Sequence, residues 1–293
     1  MLNSCKICPR ECGVNRNLGQ IGYCKEGSEI AAARAALHYW EEPCISGKEG
    51  SGAVFFSGCN MGCVFCQNEN ISHGKIGKEI SLRRLVDIFF ELKEKGARNI
   101  NLVTPTHYIP QIKEAIFIAK KEKLNLPFVY NTSSYEKVES LRSLEGLIDI
   151  YLPDLKYYSN EMSLKYSKAN DYFSYATKAI DEMVRQVGTP KFEDDMMIRG
   201  VIVRHLLLPE GLNDSKKIVK YLYQTYKDDI YISLMSQYTP MQGVLPPLNR
   251  KVTKKEYDKL VDFAIELGVE NGFIQEGETA SESFIPPFNC EGI

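Results

Sequence analysis

The sequence predicts an α/β protein: a partial (β/α)6-type TIM barrel with a small N-terminal cysteine-rich metal-binding extension. Three observations predict it. From residue 53 onward, short apolar runs alternate with amphipathic helical stretches, the pattern of parallel strands joined by helical crossovers. Six or seven such units fall short of the eight that close a barrel. The cysteines fall into two groups, one ahead of this alternation and one directly after its first strand. The expected boundary therefore lies after residue 50, with 1–50 as the extension and 51–293 as the barrel.

Within the extension, Cys5, Cys8, Cys12 and Cys24 are spaced C-x2-C-x3-C-x11-C. Four thiolates complete a tetrahedral set that suits a structural zinc or a full iron–sulfur cluster. Zinc is the first choice, an auxiliary cluster the second, and a loose arm of reduced thiols the third. A bound ion would organise a stretch that holds little apolar material of its own. The segment His38–Gly47 then carries the only tryptophan, Trp40, and Cys44, a thiol whose default reading is packing. Cys290 has no constellation around it and is assigned no role.

Strand-like runs follow at Ala53–Ser57, Asn99–Val103, Pro127–Tyr130, Ile148–Leu152, Gly200–Leu208, Ile230–Leu234 and Gly272–Gln275. Leu82, Leu85, Val86, Phe89 and Leu92 recur at helical spacing behind Ser81, a good N-cap. Helical patterns continue at Ile109–Lys121, Tyr135–Leu144, Asp214–Tyr226 and Lys254–Leu267. The connection across 159–197 is longer, with a helical stretch near Asp171–Val187 and an acidic turn at 189–195.

Composition bounds the function. With 44% hydrophobic and 25% charged residues and a formal charge of −2, the chain is an ordinary globular protein without a strong nucleic-acid signal. No apolar stretch reaches membrane-span length and the polar start is no signal peptide, so no membrane association and a cytoplasmic location are expected. In a reducing compartment the nine cysteines read as metal ligands rather than disulfides.

Cys59, Cys63 and Cys66 form C-x3-C-x2-C directly after the run Ala53–Ser57, with Gly58 and Gly62 giving the backbone room. Three thiolates hold three corners of a [4Fe-4S] cluster and leave one iron open to a small molecule, whereas a ferredoxin closes all four with cysteine. Zinc or buried structural thiols are the alternatives. This triplet, with Phe65 before its last cysteine, resembles the radical S-adenosylmethionine enzymes. That resemblance implies S-adenosylmethionine bound at the open iron, its one-electron reductive cleavage, and hydrogen abstraction from a substrate by the resulting 5′-deoxyadenosyl radical.

The remaining expectations lie at strand ends, where such barrels build their sites. Thr104, in Thr104-Pro105-Thr106-His107-Tyr108, is assigned to the cofactor by position. His107 is a proton-transfer or substrate group, or a histidine hydrogen-bonded in the barrel mouth. Tyr130-Asn131-Thr132-Ser133 and Leu152-Pro153-Asp154-Leu155-Lys156 resemble segments of the glycyl-radical-enzyme activating enzymes. In that family these strand ends hold the cofactor, which implies Asn131, Thr132, Asp154 and Lys156. Asn131 replaces an acidic residue of the family, which removes one charge from a monovalent-cation site there. Asp154 and Lys156, two apart, point to the same side of a strand. An internal ion pair is the alternative. Arg204 and His205 alternate in direction, and His205 is favoured as the cofactor-side residue by motif position. Gln237 and Tyr238 are expected as substrate contacts or loop anchors.

Together these motifs resemble the branch of pyruvate formate-lyase activating enzyme homologues that carries an extra N-terminal cysteine motif. The resemblance implies a radical oxidoreductase working anaerobically on a protein, as a glycyl-radical activase does. It would take its electron from an external one-electron reductant such as flavodoxin or ferredoxin. The alternatives are radical modification of a small metabolite or peptide, and a non-enzymatic iron–sulfur carrier or sensor.

Overall fold

Apolar, β-branched segments with little polar interruption become strands covered on both faces, and they dominate this protein. The computed structural model describes residues 1–275 and 286–293. After the N-terminal loops come β1 (Ile30–His38), α1 (Pro43–Ser46), β2 (Ser51–Phe56), α2 (Glu69–Ser72) and β3 (Lys78–Ile80). Next are α3 (Leu82–Glu94), β4 (Ile100–Val103), α4 (Ile109–Lys121), β5 (Phe128–Thr132), α5 (Val138–Arg142) and β6 (Ile150–Pro153). The chain continues through α6 (Asn160–Ser167), α7 (Tyr172–Val187), β7 (Lys191–Glu193), β8 (Met196–Leu206) and α8 (Leu212–Tyr226). It then forms β9 (Tyr231–Met235), α9 (Lys254–Leu267) and β10 (Gly272–Ile274).

The sheet order among the described residues is β10-β9-β8-β6-β5-β4-β2-β1-β3. From β2 to β10 every neighbour is parallel, and helices α3 to α9 supply the crossovers. This is the expected α/β partial barrel. Ser81 caps α3 by accepting from the Arg84 amide, as its sequence position predicts.

Three strands were not legible as such. β7 and the start of β8 form a hairpin across Asp194 and Asp195, whose φ values of 49° and 63° are those of a tight two-residue turn. β8 consequently begins at Met196, ahead of the expected Gly200. β3 is a short edge strand on β1.

β1 matters more. It pairs antiparallel with β2, so the sheet runs across the boundary drawn at residue 50. The chain then turns in α1, where Cys44 and Ile45 pack on Val129, Ile150, Leu152, Met197 and Ile202. Asn99, just before β4, donates to the Ile45 carbonyl at 2.7 Å and accepts from Ser51 at 2.6 Å. Residues 39–50 thereby close the end of the barrel from which the parallel strands start. On the opposite face of the sheet, Tyr130, Tyr151, Val201 and Val203 pack into the main apolar core with the helices.

Candidate functional site

The inward face of the strands opens into a cavity of about 430 Å³. Cys59, Cys63 and Cys66 line one side of it, on the loop after β2. Two left-handed glycines shape that loop, Gly58 at φ 81° and Gly62 at φ 60°. The first is sterically required: a Cβ there would stand 2.5 Å from the Cys24 carbonyl oxygen. The Met61 amide donates to Cys59 Sγ at 3.3 Å and the Ser167 hydroxyl to Cys63 Sγ at 2.9 Å. Burial, then the neighbouring thiols Cys63 and Cys59, push Cys66 up to about 12; burial and Cys63 likewise raise Cys59. Ionising Cys59 and Cys66 therefore needs nearby positive charge, which iron would supply. Among the described residues no group of three or more His, Cys, Asp or Glu is placed to hold a single metal ion. A four-iron cluster takes each thiolate on its own iron, and the donor set here is three thiols facing one cavity.

The cavity also holds a charge network. Lys156 Nζ lies 2.6 Å from Asp154 Oδ2, and Arg204 Nε lies 2.9 Å from Asp154 Oδ1. Arg204 also reaches Glu41 Oε2 at 2.9 Å and Asn131 Oδ1 at 2.6 Å. Asn131 and Asn101 donate to Glu41 Oε1 at 3.2 and 2.9 Å. Two cations thus balance two carboxylates out of bulk water, as buried charge requires. Burial opposes ionisation of Asp154, but Lys156 and Arg204 outweigh it and hold the carboxyl below its usual range. Burial likewise opposes charge on Arg204, and Asp154 and Glu41 overcome it. Glu42, also on the wall, has its pKa raised, chiefly by burial.

Thr104, Asn131, Thr132, Asp154, Lys156 and Gln237 all line this cavity with the three cysteines. Thr104 sits at φ 59° and its amide donates to Asn131 O at 2.9 Å. Gln237 is held through its carbonyl, which accepts from Gln67 at 2.9 Å.

Three expected residues lie elsewhere. His205 faces the helix layer, with Nδ1 2.7 Å from Leu155 O and Nε2 2.7 Å from Ser215 Oγ. Arg204 is the cavity residue of that pair. His107 is buried with Nε2 2.6 Å from Ser57 O, off the cavity wall. Burial lowers it to about 3, so it stays neutral near pH 7. Tyr238 is buried as well; its hydroxyl donates to Leu248 O at 2.6 Å and its ring meets Phe65 edge-on at 6.1 Å. It anchors a loop.

Sequence reasoning missed Glu41, Arg204 and His38 as cavity residues. For Arg204 a signal existed: Ile202 and Arg204 share a strand face, but an all-apolar strand hides which face is inward. For Glu41 only the Glu41-Glu42-Pro43 turn hinted at a bend.

Cys5, Cys8 and Cys24 are buried behind the triplet loop and Cys12 is exposed. The backbone at Arg10 and at Glu26 acts to lower the thiol two residues before it, Cys8 and Cys24 respectively. Burial nevertheless pushes Cys8 up to about 12 and Cys24 up to about 11, with neighbouring thiols adding to it. Cys44 packs in the barrel end and Cys290 hydrogen-bonds β1 through its amide.

Comparison with known proteins defines the class. The model of the radical SAM superfamily matches residues 53–222, and the chain belongs to that superfamily. It is 30% identical over 276 residues to an uncharacterized protein of Methanocaldococcus jannaschii, covering 90% of this chain and 75% of that one. Among solved structures, a radical SAM methyltransferase from Sphaerobacter thermophilus superposes with a TM-score of 0.53 at 14% identity, over 82% of this chain and 70% of that one. The FeFe-hydrogenase maturase HydG from Carboxydothermus hydrogenoformans gives 0.51 at 15% identity, over 80% and 59%. At these identities the structural likeness speaks for the fold. No helix among the described residues is long and apolar enough to cross a membrane.

Proposed function

We propose that the chain holds a [4Fe-4S] cluster at Cys59, Cys63 and Cys66 and S-adenosylmethionine beside it, and abstracts hydrogen from a polypeptide substrate. The observation that carries this reading is the three-thiol loop facing the Asp154–Lys156–Arg204–Glu41 network across one cavity. When bound, the cluster and S-adenosylmethionine supply one-electron reductive cleavage and hydrogen-atom abstraction. The protein's own part is binding and orientation. Asp154 and Glu41 suit the ammonium of the cofactor's amino-acid end, and Lys156 and Arg204 suit its carboxylate. Such a ligand exchanges one set of ion pairs for another, so the charged residues keep partners in both states. Thr104, Asn131 and Thr132 add polar groups to the same wall.

The polypeptide assignment is supported by the activating-enzyme-like segments at Asn131–Thr132 and Asp154–Lys156, which here line one cavity. A flavodoxin- or ferredoxin-like donor would supply the electron. A second reading, a small metabolite or peptide as substrate, is favoured by the cavity volume of about 430 Å³, within the range of small-molecule sites. Cys5, Cys8, Cys12 and Cys24 are proposed as a second metal site; an iron–sulfur cluster, which takes each thiolate on its own iron, suits them better than zinc, because no three such groups among the described residues are placed to hold a single ion.

The deciding experiment uses reduced enzyme, S-adenosylmethionine, and lysate from cells grown in heavy water, separated into macromolecular and small-molecule fractions. Deuterium in 5′-deoxyadenosine only from the macromolecular fraction is the expected result. Enrichment only from small molecules would replace the polypeptide reading with the metabolite one.

A further inference from the structure

Arg10 lies between Cys8 and Cys12, yet its side chain serves the other cysteine group. Its guanidinium donates to Asn60 O at 2.8 Å, Met61 O at 3.3 Å and Ser167 O at 2.9 Å, and also to Lys168 O. The ring of Tyr23 lies 3.9 Å from its centre and that of Tyr135 at 5.2 Å. Asn60 and Met61 are residues of the span between Cys59 and Cys63, and Ser167 bonds the Cys63 sulfur at 2.9 Å. One side chain therefore grips both the backbone that carries two thiols and the residue that contacts one of them. Four carbonyls on one planar cation make a rigid joint, because the fork fixes donor directions that an ammonium leaves loose.

A second set of contacts runs in parallel. Gly58, just before Cys59, lies against the Cys24 carbonyl, with 2.5 Å left for a Cβ. Tyr23, beside Cys24, donates its hydroxyl to Met61 O at 3.3 Å, and that hydroxyl oxygen lies 3.3 Å from where a Cβ of Gly62 would stand. Residues flanking the N-terminal cysteines thus touch the triplet loop at Gly58, Met61 and Gly62, while Arg10 adds Asn60. Both glycines adopt left-handed φ, where the free loop would have the widest choice of conformations.

We infer that Arg10 is a positioning residue through which the N-terminal cysteine segment fixes the spacing of Cys59 and Cys63. The inference rests on the triplet being the cluster site, and the test separates the two. In the full-length apo-protein, iodoacetamide labelling of each cysteine is followed by peptide mass spectrometry, with Cys290 as internal reference. R10A is expected to label Cys59 and Cys63 about tenfold faster than the wild type, with R10K intermediate. In reconstituted protein, R10A is expected to broaden the electron paramagnetic resonance signal of the reduced cluster and weaken its change on adding S-adenosylmethionine. Wild-type labelling and wild-type spectra in both variants would overturn the inference. Should R10A not fold, R10K decides alone, faster labelling supporting the inference and wild-type labelling overturning it. An error in the cluster assignment shows separately, as a C59A/C63A/C66A protein that keeps the nucleotide-sensitive signal.

Discussion

The two cysteine groups lie on opposite sides of one loop and differ in what they face. Cys59, Cys63 and Cys66 look into a cavity across from a charge network. Cys5, Cys8 and Cys24 are packed behind them among backbone and aromatic rings, and only Cys12 reaches the surface. The first arrangement leaves room for a ligand beside the thiols, and the second leaves room only for what the thiols themselves enclose. Access to a cavity, rather than the number of thiols, separates a reactive site from a structural one.

The largest expected effect tests that contrast directly. Replacing Cys59, Cys63 or Cys66 with Ala should lower 5′-deoxyadenosine formation by at least about a thousandfold. C5A and C8A should instead lower stability while leaving part of the cleavage intact. Cleavage retained in all three triplet variants would remove the assignment, and complete loss in a still-folded C5A would make the N-terminal group a partner in electron delivery.

Arg204 and His205 sharpen the contrast between the cavity face and the helix face of one strand. R204A leaves Glu41 without a cationic partner and Asp154 with Lys156 alone, at a cost of about 3–5 kcal/mol in urea unfolding, and should weaken S-adenosylmethionine binding by calorimetry. H205A breaks contacts to Leu155 and Ser215 only, about 1–3 kcal/mol, and should leave that affinity unchanged. Equal loss of binding in both would erase the distinction.

Glu136 stands between Thr132 of the cavity wall and Cys8 of the N-terminal group. Its Oε1 accepts from Thr106 and Thr132, each at 2.6 Å, and its charge acts on Cys8. Burial raises its pKa to about 7 from an ordinary 4.5. The folded state therefore holds its proton when the unfolded state has lost it, so this group's stabilising contribution is complete below pH 4.5 and disappears as pH rises to about 7. E136Q keeps an acceptor and cannot ionise. It should remove that slope and gain up to roughly 3 kcal/mol over the wild type at pH 8, read as melting temperature against pH. An unchanged slope would place the proton elsewhere.

Much of this was legible because the signals are local. The seven parallel strands and the Ser81 cap follow from periodicity and side-chain chemistry within a few residues. The triplet follows from spacing alone. β1 escaped detection because Ile30–His38 is rich in alanine and holds Arg34, so its run lacks the β-branched character of the inner strands. Motif position favours His205 over Arg204, but the phase of the strand turns Arg204 to the cavity and His205 to Leu155 and Ser215.

By itself the sequence determined the α/β alternation, the thiols able to hold a cluster, and the Asp154–Lys156 pair that points one way on its strand. Only the tertiary structure decided that Arg204 faces the cavity, that Glu41 enters the barrel from the N-terminal segment to meet it, and that Arg10 crosses to the other cysteine loop. The physical reason is distance along the chain. A buried charge is tolerated only where its partners assemble, and here they come from residues 41, 131, 154 and 204, which no local pattern brings together.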